Sequence, residues 1–372
     1  MRSHSHLNSA VAILKLYKGE IPFHLFIKKY FSSNKKFGSK DRKQISSLCY
    51  NYFRLGKAAL KISTEERILL GTSVCEGVRR LQSPDTYSLP FSIKEIFPYQ
   101  DELSEGIETD MFNESFLIQP KLFLRIRPGN KNRVAGKLSG AGLQYEKISD
   151  NCIALPNASK VDTVIELDKD AVIQDYNSQR VGEFIQLALG NKQSAITVWD
   201  CCAASGGKSI MTYDINPNIE LTVSDKRESI LDNLHKRFAS AGIKKYNSFI
   251  ADLATDNWQP TTHKFDLIIC DAPCTGSGTW ARTPEQLFYF NKELIEKYSS
   301  LQKQIVKNVI PYLKKNGHLL YVTCSVFKKE NEDVIKYLQE ELKLQLIKKE
   351  ILIGYEMRSD TMFAALFTAP AT

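Results

Sequence analysis

The sequence predicts an α/β protein: a doubly wound parallel sheet, preceded by a small α/β subdomain and an N-terminal helical domain. Three observations carry this. From about residue 186 the chain repeats strand, glycine turn and helix. Up to about residue 100 its apolar residues recur at helical spacing. Between the two, "LFLRIRPGN" alternates apolar residues with arginines and ends in a Pro-Gly turn. The expected domains are therefore residues 1–100, 117–185 and 186–372.

The totals permit such a division. A chain of 372 residues, 43% hydrophobic and 25% charged, can bury two or three cores. Fifty Lys and Arg against 42 Asp and Glu give a net charge of +8, which suits a polyanionic partner without demanding one. The eight cysteines are scattered without framework spacing, which predicts reduced thiols in a cytoplasmic protein. No zinc motif is visible, because the adjacent pair Cys201-Cys202 has no second Cys/His pair at ligand spacing, so no metal is expected. The N-terminal apolar stretch is interrupted by Lys15, no run approaches membrane-spanning length, and a monomer is expected.

In the first part, Ile45, Leu48, Cys49, Tyr52 and Phe53 form one helical stripe. Just before it, Lys35, Lys36, Lys40 and Arg42 are interleaved with aromatic residues, a pattern that fits either a solvated loop or an RNA-contacting patch. Residues 83–114 read as a connecting region. In the strand at 122–127, Arg125 and Arg127 lie on an expected outer face, as an edge or as two guanidiniums offered to phosphates.

In the last part, "ITVWD", "ELTVSD", "FDLIICD" and "HLLYVTCS" read as strands, and a helix is expected over residues 294–313 with Gly317 as its stop. Every unusual motif falls at a strand's carboxyl end, where such sheets gather ligands. "DCCAASGGKS" supplies Cys202, Ala203, Ala204, Ser205, Gly206, Gly207 and Lys208, small residues that let a backbone approach a ligand. It is neither the phosphate loop nor the dinucleotide fingerprint, which favours an adenosyl ligand without a pyrophosphate. Asp225 is placed to accept from both ribose hydroxyls, with Arg227 just beyond it, and Asp252 to take the adenine amine. Each aspartate alone would more often be a helix cap. "CDAPCTGSG" and "YVTCSV" put Cys274 and Cys324 at two strand ends, whereas Cys270 reads as a buried core thiol.

Together "DCCAASGGKS", "DAPCTGSGTWARTPE" and "YVTCSVFKKENED" resemble the RsmB/Sun family of RNA cytosine-5 methyltransferases. The likeness extends through "VIQDYNSQRVGEF" and covers roughly residues 117–372, while "KFGSKDRKQISSLCYNYFR" looks like the family's NusB-like helical RNA-binding domain. The resemblance implies a Rossmann-like domain, S-adenosylmethionine as cofactor and RNA, ribosomal RNA first, as partner. It implies Cys324 as the nucleophile and Cys274 as the residue assisting release. DNA cytosine methyltransferases instead use the Pro-Cys thiol as nucleophile, which leaves a swapped assignment open. It further implies that Asp271 contacts the cytosine N3 edge and the cofactor region, and that Arg282 contacts RNA or the base. The family pattern differs here at Ser205, Ala281 and Thr361, where Pro, Arg and Gly are usual. The rival readings are a catalytically silent RNA-binding assembly factor and a small-molecule or protein methyltransferase. The intact Asp271, Cys274 and Cys324 weigh against the first, and the appended basic domains against the second.

Overall fold

The computed structural model describes residues 2–81, 91–190, 195–255 and 263–371; residues 83–90 of the expected connecting region lie outside them. The chain divides into two compact units.

The helical unit comprises residues 1–120, 279–292 and 355–358. Its described helices are α1 (Arg2–Leu16), α2 (Phe23–Ser33), α3 (Ser39–Arg54), α4 (Thr64–Leu81), α5 (Thr109–Ser115) and the later α10 (Pro284–Tyr289). The expected stripe forms on α3: Ile45, Cys49 and Phe53 are buried with Ile13, Phe23 and Phe31 of α1 and α2, and Leu48 and Tyr52 flank them. Arg54, at the end of α3, is buried and gives its guanidinium to the carbonyls of Phe116, Ile118 and Ala281 and to the Gln119 side chain.

The second unit comprises residues 121–278, 293–354 and 359–372. Its smaller sheet is antiparallel, in the order β2 (Glu146–Lys147), β3 (Cys152–Leu155), β1 (Leu122–Ile126) and β4 (Ala171–Ile173), with helix α6 (Lys131–Gly140) after β1. Because β1 is an inner strand, the expectation of outward arginines does not hold. Arg125 is buried, and both it and Arg127 are bound to Asp214, Arg125 at 2.6 Å and Arg127 at 2.7 Å. Arg127 also donates to the carbonyls of Asp168 and Ala241. These guanidiniums tie the small sheet to helix α8 (Gly207–Ile215), which follows the first strand of the larger sheet, and to the end of α9 (Glu228–Ala241).

The larger sheet has seven strands. Five are parallel: β9 (Leu313–Thr323), β8 (Phe265–Asp271), β5 (Ile196–Asp200), β6 (Ile219–Asp225) and β7 (Asn247–Ile250), in that spatial order. Beyond β9 lie β11 (Met362–Thr368) and β10 (Gln345–Leu352), both paired antiparallel. Alternate residues of the inner strands enter two cores, as a period of two requires. Val198, Val223, Ile269 and Val322 pack with α7 (Tyr176–Leu189), α8 and α9, while Trp199, Ile268, Cys270 and Tyr321 pack with α11 (Glu293–Val309) and α12 (Glu332–Glu340). Both faces are covered, which explains the nearly unbroken apolar strands. Helix α11 ends at Val309, four residues before the expected limit, because Pro311 lacks the N–H needed to continue it; Gly317 lies inside β9 and stops nothing.

The buried clamp at Asp214 sets a stability expectation. Asp214→Ala leaves two guanidiniums nearly out of water and unpaired, so it should cost about 3–5 kcal/mol. Replacing Asp150, whose partners Lys131 and Lys147 are exposed with it, should leave the melting midpoint almost unchanged. Thermal or urea denaturation of both variants checks the contrast.

Candidate active site

In the larger sheet, β5 connects to β6 on one side while β8 lies on the other, so the crevice opens at the carboxyl ends of these strands. A cavity of about 480 Å³ occupies that place. Its wall takes Cys202 and Ala204 from the loop after β5, Asp225 at the end of β6 and Arg227 beyond it, Asp252 and Leu253 after β7, Asp271 at the end of β8 and Cys274 beyond it, and Cys324 after β9. Tyr298, Leu301 and Ile305 of α11 add an apolar side. Residues from five strand ends, separated by more than a hundred positions, thus meet in one space.

The two cysteines meet in it: Cys274 Sγ lies 3.3 Å from Cys324 Sγ. That contact, together with burial, pushes the Cys274 thiol well above its ordinary value, and either sulfur can be the donor of the pair. Nearby, Lys208 Nζ sits 2.5 Å from Asp271 Oδ2. Burial works against the Lys208 ammonium, but Asp271, Asp200 and Cys324 outweigh it and raise its pKa. The paired Asp271 is consequently an acceptor. Asp200, buried at the end of β5, accepts from Ser209 Oγ at 2.6 Å, and burial pushes its carboxyl up to about 7.

The loop after β5 differs from its expected use. Ala204 donates its N–H to Asp225 Oδ2 at 3.1 Å, and Asp225 Oδ1 accepts from the Arg227 N–H at 3.0 Å, so that carboxylate holds the loop and the next turn together. Gly206 does not line the cavity: its φ is +81°, and a Cβ there would come 2.7 Å from Phe238 Cε1. It is glycine because the loop turns left-handed against α9. Among the other expected loop residues, Gly207 opens α8, Ala203 is buried in the core, and Ser205 accepts from Arg237 through its hydroxyl and its carbonyl, so neither Ala203 nor Ser205 lines the cavity. Thr361, another departure, accepts the Gly354 N–H through its hydroxyl. Lys35, Lys36 and Lys40 are exposed, whereas Arg42 is half-buried, lies over the Phe31 ring and donates to the Phe37 carbonyl. Arg282 is half-buried in the helical unit.

The sequence reading missed what lies behind the thiols. Glu330 is fully buried. Its Oε1 accepts from Thr275 Oγ1 and Ser325 Oγ, each at 2.6 Å, and its Oε2 from the Thr275 N–H and Gln302 Nε2, each at 2.9 Å. Thr275 follows Cys274 and Ser325 follows Cys324, so a single carboxylate holds both cysteine loops. Burial pushes its pKa up, and the four donors pull against that shift. Asn331 completes the brace, accepting from Thr323 Oγ1 at 2.6 Å and donating to the Ser325 carbonyl at 2.9 Å. The usable signal was a hydroxyl residue directly after each cysteine, with an acid five residues past Ser325.

The sheet order with its strand-end cavity is that of a Rossmann-like fold. The family model described as 16S rRNA methyltransferase RsmB/F matches residues 185–364. The ribosomal RNA small subunit methyltransferase B of Xanthomonas campestris is 29% identical over 196 residues, covering 49% of this chain and 42% of that one. The probable enzyme of the same name from Synechocystis is 26% identical over 306 residues, covering 80% of this chain and 64% of its own. The chain thus spans less than two thirds of the length of these relatives. A crystal structure of NSun6 from Pyrococcus horikoshii with SFG superimposes with a TM-score of 0.61 at 13% identity, over 75% of this chain and 97% of that one.

Glu330→Gln should separate bracing from chemistry. The amide would set an NH2 against donors that now meet an oxygen, costing about 1–3 kcal/mol of stability. Chemical denaturation measures it; an unchanged midpoint would mean the carboxylate holds neither loop.

Proposed function

We propose that this chain methylates carbon 5 of a cytidine in RNA, ribosomal RNA in particular, with S-adenosylmethionine as methyl donor. The observation that supports this most is the pair of sulfurs in contact in the wall of one strand-end cavity. Three features suit the donor's adenosyl part: the Asp225 carboxylate at the end of β6, the Asp252 carboxylate after β7, and the apolar side made by Leu253, Leu301 and Ile305. In this reading Cys202, Ala204, Asp225, Arg227 and Asp252 hold it. When bound, it supplies an electrophilic methyl group.

Carbon 5 of cytosine is too poor a nucleophile to use that group unaided, and the protein's own residues change this. Cys324, its thiol proton given up to solvent, adds to carbon 6; a carbon–sulfur bond forms as the carbon 5–carbon 6 π bond opens, and its electrons move to carbon 5. Cys274, holding its proton, keeps the neighbouring sulfur hydrogen-bonded before attack. Lys208 sets positive charge beside Cys324 and fixes Asp271. The Asp271 carboxylate accepts from a protonated N3 and from the 4-amino group, which cytosine carries and uracil lacks. Once carbon 5 carries the methyl group, its proton passes to water, either directly or with the Cys274 thiol as a relay that gives its own proton to solvent as it takes the new one. The bonding pair from that carbon–hydrogen bond restores the ring double bond, and Cys324 departs with the electrons of its bond to carbon 6. A stacked base shields carbon 6, so the target cytidine must be unpaired or flipped. The surface lysines Lys35, Lys36 and Lys40, together with Arg42 and Arg282, remain candidates for phosphate contact, whereas Arg125 and Arg127 are engaged at Asp214.

Incubating the protein with ribosomal RNA and S-adenosylmethionine, followed by denaturing electrophoresis, tests the proposal. Cys274→Ala should accumulate a covalent RNA adduct, and Cys324→Ala should form none and transfer no methyl group. Normal methylation by both variants would overturn the mechanism. RNA binding by the unaltered chain without any methyl transfer would favour the silent assembly factor.

A further inference from the structure

A second cluster of thiols lies at the same end of the sheet; none of its sulfurs forms a bond in the proposed reaction, although Cys202 also belongs to the cofactor side of the cavity. Asp200 pairs with Ile269 in the parallel register of β5 and β8, so the next residue on each strand, Cys201 and Cys270, stand side by side. The Cys201 N–H donates to the Ile269 carbonyl at 2.9 Å, and its carbonyl accepts from Ser224 Oγ at 2.9 Å, which fixes the turn that carries Cys202. The Sγ atoms of Cys201, Cys202 and Cys270 all lie within 4.8 Å of one another. All three are free thiols, Cys201 and Cys270 buried and Cys202 half-buried. Cys201 and Cys202 also line the cavity, which gives the cluster a path to solvent.

We propose that Cys201, Cys202 and Cys270 form a three-sulfur site for a thiophilic d10 metal ion of the zinc class. Three protein ligands with a path to a cavity are the arrangement of zinc sites that keep one coordination position open. A zinc–sulfur bond of about 2.3 Å at a tetrahedral angle places ligand sulfurs about 3.8 Å apart, so shifts of under about 1 Å suffice. Soft thiolates select such ions over magnesium or calcium. The binding step balances without a redox partner: one M²⁺ displaces three thiol protons to solvent, three metal–sulfur bonds form, and the complex carries one negative charge. Sequence spacing hides the site because its third ligand comes from a strand 69 residues after Cys201, 270 − 201 = 69.

Cadmium is the probe, because its thiolate charge-transfer absorbance reports binding directly and needs no methyl transfer. The full chain carrying Cys274→Ala and Cys324→Ala, which removes the other close thiol pair, is titrated with Cd²⁺ under a non-thiol reductant. One equivalent should bind, with proton release, and excess Zn²⁺ should displace it. Adding Cys202→Ser, a half-buried position, should weaken binding at least about tenfold while circular dichroism shows the fold retained. Cys201→Ser serves as a second variant should the first fail to fold. The absence of a saturable charge-transfer band, or the same titration before and after the serine substitution, would overturn the site. Neither outcome bears on whether Cys324 attacks RNA.

Discussion

The arrangement of the site depends on one buried carboxylate receiving hydrogen bonds from two loops. Glu330 lies past the end of β9, and its oxygens are occupied by the residues that directly follow Cys274 and Cys324. Two thiols on separate strands have no reason to stay in contact unless something fixes both backbones. Four donors to one fully buried acid do so, and they suit an acceptor-only group whose burial would otherwise be costly. Gln302 extends the brace by also donating to the Pro273 carbonyl at 3.0 Å, which ties α11 to the loop just before Cys274.

The same economy appears at Asp225 and Asp214. Asp225 fastens the loop after β5 to the turn after β6, which forms one side of the cavity, and Asp214 fastens the small sheet to α8, which follows that loop. In each case an acid near a strand or helix end receives donors from a different element. The larger sheet supplies the approximate position of every site residue, and these local ties supply the last ångström.

Much of this was legible because the relevant patterns are local. The alternation of strand and helix, the stripe on α3 and the motifs at strand ends are all set within ten or so residues, and the cysteine pair meets where those strand ends converge. What stayed hidden depended on partners distant in sequence. Arg125 and Arg127 read as outward because a short strand with alternating arginines looks like an edge; only the pairing of β3 and β4 on either side makes it an inner strand. Gly206 read as ligand-facing because glycine in a strand-to-helix loop serves either purpose, and Phe238 of α9 decides which. Glu330 stayed hidden because nothing local shows that two loops close over it.

The thiol cluster follows the same logic one step further. In a parallel sheet, strands adjacent in space are separated in sequence by a crossover helix or by another strand on the far side of the switch point. Side chains at neighbouring strand ends therefore meet whatever their spacing along the chain. The register that brings Cys274 near Cys324, through β8 and β9, has its counterpart one strand over, where β5 and β8 bring Cys201 beside Cys270. A strand-end site of this kind collects reactive side chains from every loop it contains. Searching for ligand sets by linear spacing is suited to hairpins and zinc knuckles; in a doubly wound sheet the relevant index is the position after the last paired residue of each strand.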